Sequence, residues 1–113
     1  MQRYRVETLP QAALDAAAAF SSDHLPAIRR LLDEGRAEKD RGGEGPDALT
    51  ILLPGAPRDH RGWRLAILRD LARAGAPDMR VNALSGGSEE ARRAGLAYLA
   101  DAHGVTGQLL DLS

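Results

Sequence analysis

The feature that most constrains the fold is an uninterrupted apolar segment near the middle of the chain. Ala48-Leu49-Thr50-Ile51-Leu52-Leu53 is followed directly by the turn-forming pair Pro54-Gly55. A strand with one solvated face alternates apolar and polar residues, whereas a strand without this alternation has both faces covered. The segment therefore predicts a buried strand of a parallel sheet that is covered on both faces.

Extended and helical patterns alternate on either side of this strand. We predict strands over residues 4–9, 48–53, 79–84 and 108–112, and helices over residues 11–20, 61–75 and 89–101. A further helix begins near residue 25 and is predicted to end at Gly35, and residues 36–47 are predicted to form a mobile surface loop. This order predicts one α/β domain over residues 1–113, with three layers, about four mostly parallel strands, flanking helices and right-handed crossovers.

Composition excludes several kinds of chemistry and partner. The 113 residues contain no cysteine, which excludes disulfides, thiolate nucleophiles and zinc–thiolate sites. The formal net charge of −1 gives no general attraction to nucleic acid or to anionic membranes, so neither is expected as a partner. No targeting segment or membrane span is recognisable, and a cytoplasmic location is expected. Aromatic residues make up only 4%, so the predicted core is thin and association is expected.

Short motifs in residues 48–113 resemble the last part of the short-chain dehydrogenase/reductase family. They occur in the family's order and are Arg69–Pro77, Arg80-Val81-Asn82-Ala83, Glu89-Glu90, Tyr98–Asp101 and Val105-Thr106-Gly107-Gln108. The resemblance implies a small Rossmann-like domain that corresponds to a truncated, degenerate C-terminal half of such an enzyme.

The chain departs from that family at the positions that carry its chemistry. The family's Tyr-x-x-x-Lys pair would fall near Pro57 and Arg61, so the tyrosine acid is absent and arginine cannot replace lysine in proton transfer. The family's serine would fall near Leu53-Pro54-Gly55, where there is no hydroxyl, and the glycine-rich phosphate loop is also missing. No catalytic residue, cofactor-binding residue or cofactor is therefore predicted, and we lean against an enzyme.

The resemblance also implies where subunits would associate. In that family the central helices form one contact between subunits, and the last helix and strand form another. The corresponding apolar residues here are Leu25, Ile28, Leu32, Trp63, Leu65 and Leu68 for the first surface, and Tyr98 and Leu110 for the second. These surfaces predict a non-catalytic interaction module, either a homodimer or the partner of a dehydrogenase-like protein.

The alternative prediction is a small-ligand-binding protein or an unrelated enzyme. Its site would be the crevice at the carboxyl ends of the strands, and its candidate residues are Gly55, Asp59, His60, Ser85 and Gly86. Asp59 and His60 would form a base with an orienting carboxylate, unless they belong to a solvated turn. The Ser85–Ser88 segment would present amides to an anion, unless Ser88 simply caps the next helix.

Two further groups of residues favour structural interpretations. Arg58, Arg61, Arg64 and Arg69 surround Trp63, but acidic residues interleave with them, which indicates a solvated helix face or the rim of an interface more than a nucleic-acid site. The three histidines lack metal-ligand spacing, so no metal site is predicted.

Overall fold

A computed structural model describes residues 1–112 as a four-stranded sheet with four α-helices. The elements in chain order are β1 (Gln2–Arg5), α1 (Ala13–Asp23), α2 (Leu25–Asp40), β2 (Ala48–Leu53), α3 (Arg61–Gly75), β3 (Arg80–Ser85), α4 (Glu89–Asp101) and β4 (Leu109–Asp111), and a short 3-10 helix, Arg58–His60, precedes α3. The predicted α/β class and the bounds of β2, α3 and α4 are confirmed.

All strand pairs are parallel, and the strands lie side by side in chain order, β1-β2-β3-β4. β2 and β3 pair over their full length, from Ala48 opposite Arg80 to Leu53 opposite Ser85. Every residue of β2 except Leu52 is buried, as expected for a strand covered on both faces. The carboxyl ends of β2 and β3 therefore meet at one edge of the sheet.

The helices cover both faces of the sheet and give the predicted three layers. Leu49, Ile51 and Val81 point to the face where α1, α2 and α3 pack, together with Phe20 and Leu71. On the opposite face, Leu84 packs against Leu96 and Leu99 of α4. Gly95 allows this close contact, because a Cβ built there would lie 3.1 Å from both terminal methyl groups of Leu84.

The last strand–helix–strand connection differs in hand from the first two. Each new strand is added on the same side of the previous one. The helices of the first two connections cover one face, whereas α4 covers the other. Connections that advance in the same direction over opposite faces have opposite hands. The prediction of right-handed crossovers is therefore wrong for one of the three connections, because the connection from β3 through α4 to β4 has the opposite hand from the first two.

Helix α2 does not end at Gly35 as predicted but continues to Asp40. Gly35 is buried inside the helix, where a Cβ would overlap the terminal methyl of Met79. Tertiary contacts hold the extra turn: Lys39 donates to the carboxylate of Asp47 at 2.9 Å and to a main-chain carbonyl in the turn before β3, and Arg36 donates to a main-chain carbonyl of α3. Of the predicted loop 36–47, only residues 41–47 lie outside the helix.

Strand β1 is earlier and shorter than predicted, over Gln2–Arg5 instead of residues 4–9. Its partner strand ends at Leu53, and the chain then turns at Pro54, so no parallel partner remains beyond residue 6. The main-chain amide of Val6 makes the final hydrogen bond, to the carbonyl of Leu52 at 2.9 Å. The alternation predicted from Tyr4 and Val6 is present, because both side chains pack into the core.

Several residues that were predicted to lie on surfaces are buried. Ile28, Leu32 and Leu68 have exposures of 0%, 5% and 3% because they face the sheet, so they are not available for association between subunits. Arg64, predicted on a solvated helix face, is 5% exposed. It lies on the same stripe of α3 as Leu68 and Leu71, at helical spacing, and this stripe faces the interior.

Candidate functional site

Two adjoining clefts open at the carboxyl ends of β2 and β3, where the strand-end crevice was predicted. The first, with a volume of about 390 Å³, is lined by Ala56, Pro57, Arg58, His60, Arg61, Arg64, Ser85, Leu109 and Asp111. The second, of about 500 Å³, is lined by Leu9, Pro10, Gln11, Pro54, Gly55, Ala56, Pro57, His60 and Arg64. The two clefts share the walls made by Ala56, Pro57, His60 and Arg64.

Arg64 lies where the two clefts meet and connects the ends of the two central strands. Its Nη1 donates to Ser85 Oγ at 3.0 Å, and its Nη2 donates to the Pro54 carbonyl at 2.9 Å. The guanidinium carbon lies 5.5 Å from the centre of the Trp63 ring. The Nε–H is buried and has no hydrogen-bond partner among the described residues. Burial lowers the pKa of Arg64, and the nearby Asp111 carboxylate opposes this shift.

His60 supports the cleft walls through both of its ring nitrogens. The Trp63 indole N–H donates to His60 Nδ1 at 3.2 Å. Nδ1 is therefore the acceptor, and the proton on Nε2 is donated to the Gln11 carbonyl at 2.7 Å. With 2% exposure and both nitrogens bonded, the imidazole positions Trp63 and the segment before α1. This arrangement does not provide the general base predicted for His60.

The other predicted crevice residues divide into two groups. Gly55 lines the second cleft and Ser85 lines the first, so the structure brings both together with His60. Asp59 is exposed and lines neither cleft, so it does not orient His60. Gly86 is buried, and its amide donates to the Leu53 carbonyl at 3.0 Å, so that amide is not available to an anion.

Ser88 caps α4, as the structural interpretation of the Ser85–Ser88 segment proposed. Its hydroxyl accepts a hydrogen bond from the Ala91 amide at 3.1 Å, and Glu89 and Glu90 occupy the first turn. Gly86 and Gly87 adopt φ values of +68° and +85°, which favour glycine and let the chain leave β3 for the helix. The segment is a turn and a cap.

Neither cleft is lined by a tyrosine or a lysine, the acid–base pair that the resemblance would require. Pro57 and Arg61 occupy the predicted positions of the tyrosine and lysine, and both line the first cleft. Ser85 supplies a hydroxyl there, and its oxygen already accepts from Arg64. The polar lining of the first cleft therefore consists of Arg58, His60, Arg61, Arg64, Ser85 and Asp111.

Sequence reasoning placed the crevice but missed Arg64 and Asp111 as members of it. Arg64 carries a usable signal, because it precedes Leu68 and Leu71 by four and seven residues and so lies on the buried stripe of its helix. Asp111 carries no such signal: only the pairing of β4 beside β3, with Ser85 opposite Asp111, brings it to the cleft.

Metal-ligating clusters and membrane-spanning helices are both absent from the described part of the chain. Within residues 1–112, no group of three or more potential metal-ligating side chains lies close enough to hold an ion. No helix in this range has the length and apolar character needed to cross a membrane.

A parallel sheet between two helix layers, with a crevice at its strand carboxyl ends, defines a small Rossmann-like domain. The sequence model of the family described as short chain dehydrogenase-like protein matches residues 4–112. The chain therefore belongs to the short chain dehydrogenase-like family. No curated protein and no solved structure gives a significant match to it.

Proposed function

We propose that this chain is a small-ligand-binding member of its family that does not carry out hydride transfer. The observation that supports this most directly is Arg64, a buried arginine that lies at the junction of two clefts. Burying a guanidinium is costly unless its donors are used, and one of its N–H groups has no partner. A buried, desolvated charge at the wall of a cleft is a candidate for a functional site.

The residues at the catalytic positions support a role without hydride transfer. Proline and arginine stand where the tyrosine acid and its lysine would be. Neither group exchanges protons near neutral pH, so the step that the family's enzymes perform has no donor at these positions. The order of motifs from Arg69 to Gln108 supports the further proposal that this fold corresponds to the C-terminal half of a catalytic dehydrogenase.

Ligand binding is tested by thermal melting and by NMR spectra of the ¹⁵N-labelled protein, with a panel of nucleotides and acyl compounds. The proposal expects at least one compound to raise the melting temperature and to shift the amide signals of Gly55, His60 and Ser85. The amide signal of Tyr98, which lies in α4 and lines neither cleft, serves as the internal control and is expected not to move. If no compound moves the crevice signals, the proposal is wrong.

Association between subunits is a second proposed function, supported by the exposed ring of Tyr98 on α4. This tyrosine is 56% exposed although its neighbours Leu96 and Leu99 are buried, and Leu110 is half-buried on the edge strand β4. Of the first predicted surface, Leu25, Trp63 and Leu65 are partly buried, so part of each side chain is left exposed, and Leu25 and Trp63 also pack against the core. A homodimer or a contact with a dehydrogenase-like protein would cover such residues.

Light scattering over a dilution series tests association. Tyr98→Ser is expected to weaken a dimer formed through α4. The matched control is Leu14→Ser, because Leu14 is 83% exposed but lies on α1, in the other helix layer. A wild-type protein that stays monomeric at every concentration would exclude the homodimer.

A further inference from the structure

The first cleft has an excess of positive charge at its wall. Arg58, Arg61 and Arg64 line it, against the single carboxylate of Asp111. The side chains of Arg58 and Arg61 are exposed, whereas Arg64 lies behind them and is almost fully buried. Charges at the wall of a partly desolvated cleft attract a counter-charge more strongly than charges in open solvent.

The hydrogen-bonding groups of this cleft also favour an acceptor. Arg64 uses one hydrogen of Nη1 on Ser85 and one of Nη2 on the Pro54 carbonyl, and each of these nitrogens carries a second hydrogen. Ser85 accepts from Arg64, so its own hydroxyl proton is directed away from that nitrogen. Arginine and serine together form a donor-rich surface of the kind that binds carboxylates and phosphates.

The second cleft has a different chemical character. Its walls include Leu9, Pro10 and Pro54, which offer hydrocarbon and no ionisable group. It adjoins the arginine-lined cleft through four shared residues, Ala56, Pro57, His60 and Arg64. A ligand that spans both clefts would therefore be charged at one end and apolar at the other.

We infer that the ligand of this crevice is an organic oxyanion, with a carboxylate or phosphate group bound by Arg61, Arg64 and Ser85 and a compact apolar body between Leu9, Pro10 and Pro54. This inference rests on the proposed ligand-binding function and specifies its chemistry. No bond is made or broken in it. Arg64 is a binding residue, held in place by Trp63 and the Pro54 carbonyl.

Calorimetric titration of the full chain with four probes tests the charge and the apolar body separately. The probes are hexanoate, hexyl phosphate, inorganic phosphate and neutral 1-hexanol. At least one of the two hexyl anions is expected to bind about tenfold more tightly than both hexanol and inorganic phosphate, as expected for a charge-assisted hydrogen bond added to apolar contact. Which hexyl anion binds better distinguishes a carboxylate ligand from a phosphate ligand.

Three arginine variants assign the binding site. Arg64→Met and Arg61→Gln are each expected to raise the dissociation constant of the better anion about tenfold. Arg69→Gln, an exposed arginine of α3 outside both clefts, is the matched control and is expected to leave the constant unchanged. If Arg64→Met does not fold, Arg61→Gln decides, because its side chain is exposed.

The outcomes separate this inference from the broader proposal. If hexanol binds in the crevice as tightly as the anions, or if both arginine variants retain wild-type affinity, the oxyanion assignment is wrong while ligand binding stands. If inorganic phosphate binds as tightly as hexyl phosphate, the apolar body is wrong. If neither these probes nor the nucleotide and acyl panel shifts any crevice signal, the proposed function fails as well.

Discussion

Replacing Arg64 or Arg80 with methionine compares two arginines that each donate two hydrogen bonds inside the fold. Arg80 donates to the carbonyls of Leu99 and Ala102 at 3.0 and 2.6 Å, at the carboxyl end of α4. Arg64 donates to Ser85 and to the Pro54 carbonyl, and its buried Nε–H is unpartnered. The same substitution should therefore have different effects on the free energy of unfolding.

For Arg80→Met, every expected change is unfavourable. Hydrogen bonds from a charged group contribute about 1.5–3 kcal/mol each, and a cation at a helix carboxyl end contributes about 0.3–1 kcal/mol. Because removing the guanidinium also leaves two helix-end carbonyls without this donor, we expect the free energy of unfolding to fall by about 3–7 kcal/mol. Such a loss corresponds to a fall in melting temperature of more than about 10 °C for a domain of this size.

For Arg64→Met, the losses and gains nearly cancel. Two charged hydrogen bonds disappear, at about 1.5–3 kcal/mol each, and the buried Ser85 hydroxyl and the Pro54 carbonyl lose this donor. In return, the variant no longer buries an unsatisfied N–H, worth about 1–3 kcal/mol, nor desolvates a guanidinium, which costs several kcal/mol. Methionine also keeps apolar contact with the Trp63 ring. We expect the free energy of unfolding of Arg64→Met to lie within about 1 kcal/mol of the wild-type value.

Urea denaturation of both variants, followed by circular dichroism without added ligand, measures the difference. A loss of more than about 3 kcal/mol for Arg64→Met would refute the reasoning, since it would show that Arg64 is a structural clamp like Arg80. Near-wild-type stability together with weaker anion binding would instead show that the buried charge is present for the ligand.

Three further predictions test the cap, the core and the tie between α2 and β2. Ser88→Ala should lower the stability of the protein by about 1 kcal/mol through loss of the α4 cap, measured by urea denaturation. Leu49→Ala should lower it by about 3–4 kcal/mol because Leu49 is fully buried, and a loss below about 1 kcal/mol would contradict the assigned core. The pKa of Asp47 is lowered from 3.8, first by its hydrogen bond to Lys39, so its stabilising effect is present above that pH and is lost as the pH falls below it. In Lys39→Met the urea midpoint should therefore fall less between pH 6 and pH 3 than in the wild type, whereas an equal fall would show that this pair does not contribute.

Elements whose signals are local were predicted closely, because those signals decide the structure. The apolar run of β2 and the apolar faces of α3 and α4 predicted their bounds, and Ser88 was recognised as a cap in advance. The end of α2 was missed for the opposite reason. Gly35 is a stop signal when only the local sequence is considered, but Lys39 and Arg36 reach residues about forty positions away in sequence that hold the helix together beyond it.

The candidate site shows the same division between local and distant information. A parallel sheet places its ligand crevice at the strand carboxyl ends, so the region around Gly55 and Ser85 was predictable from the order of elements alone. The residue that defines its chemistry was not, because an arginine counts as a surface residue when hydrophobic periodicity is read. Arg64 is the first residue of the buried stripe of α3, at the end where that stripe reaches the crevice. A charged residue on an otherwise buried helical face is therefore the signal to look for, and it becomes specific when the same face passes the end of a predicted strand.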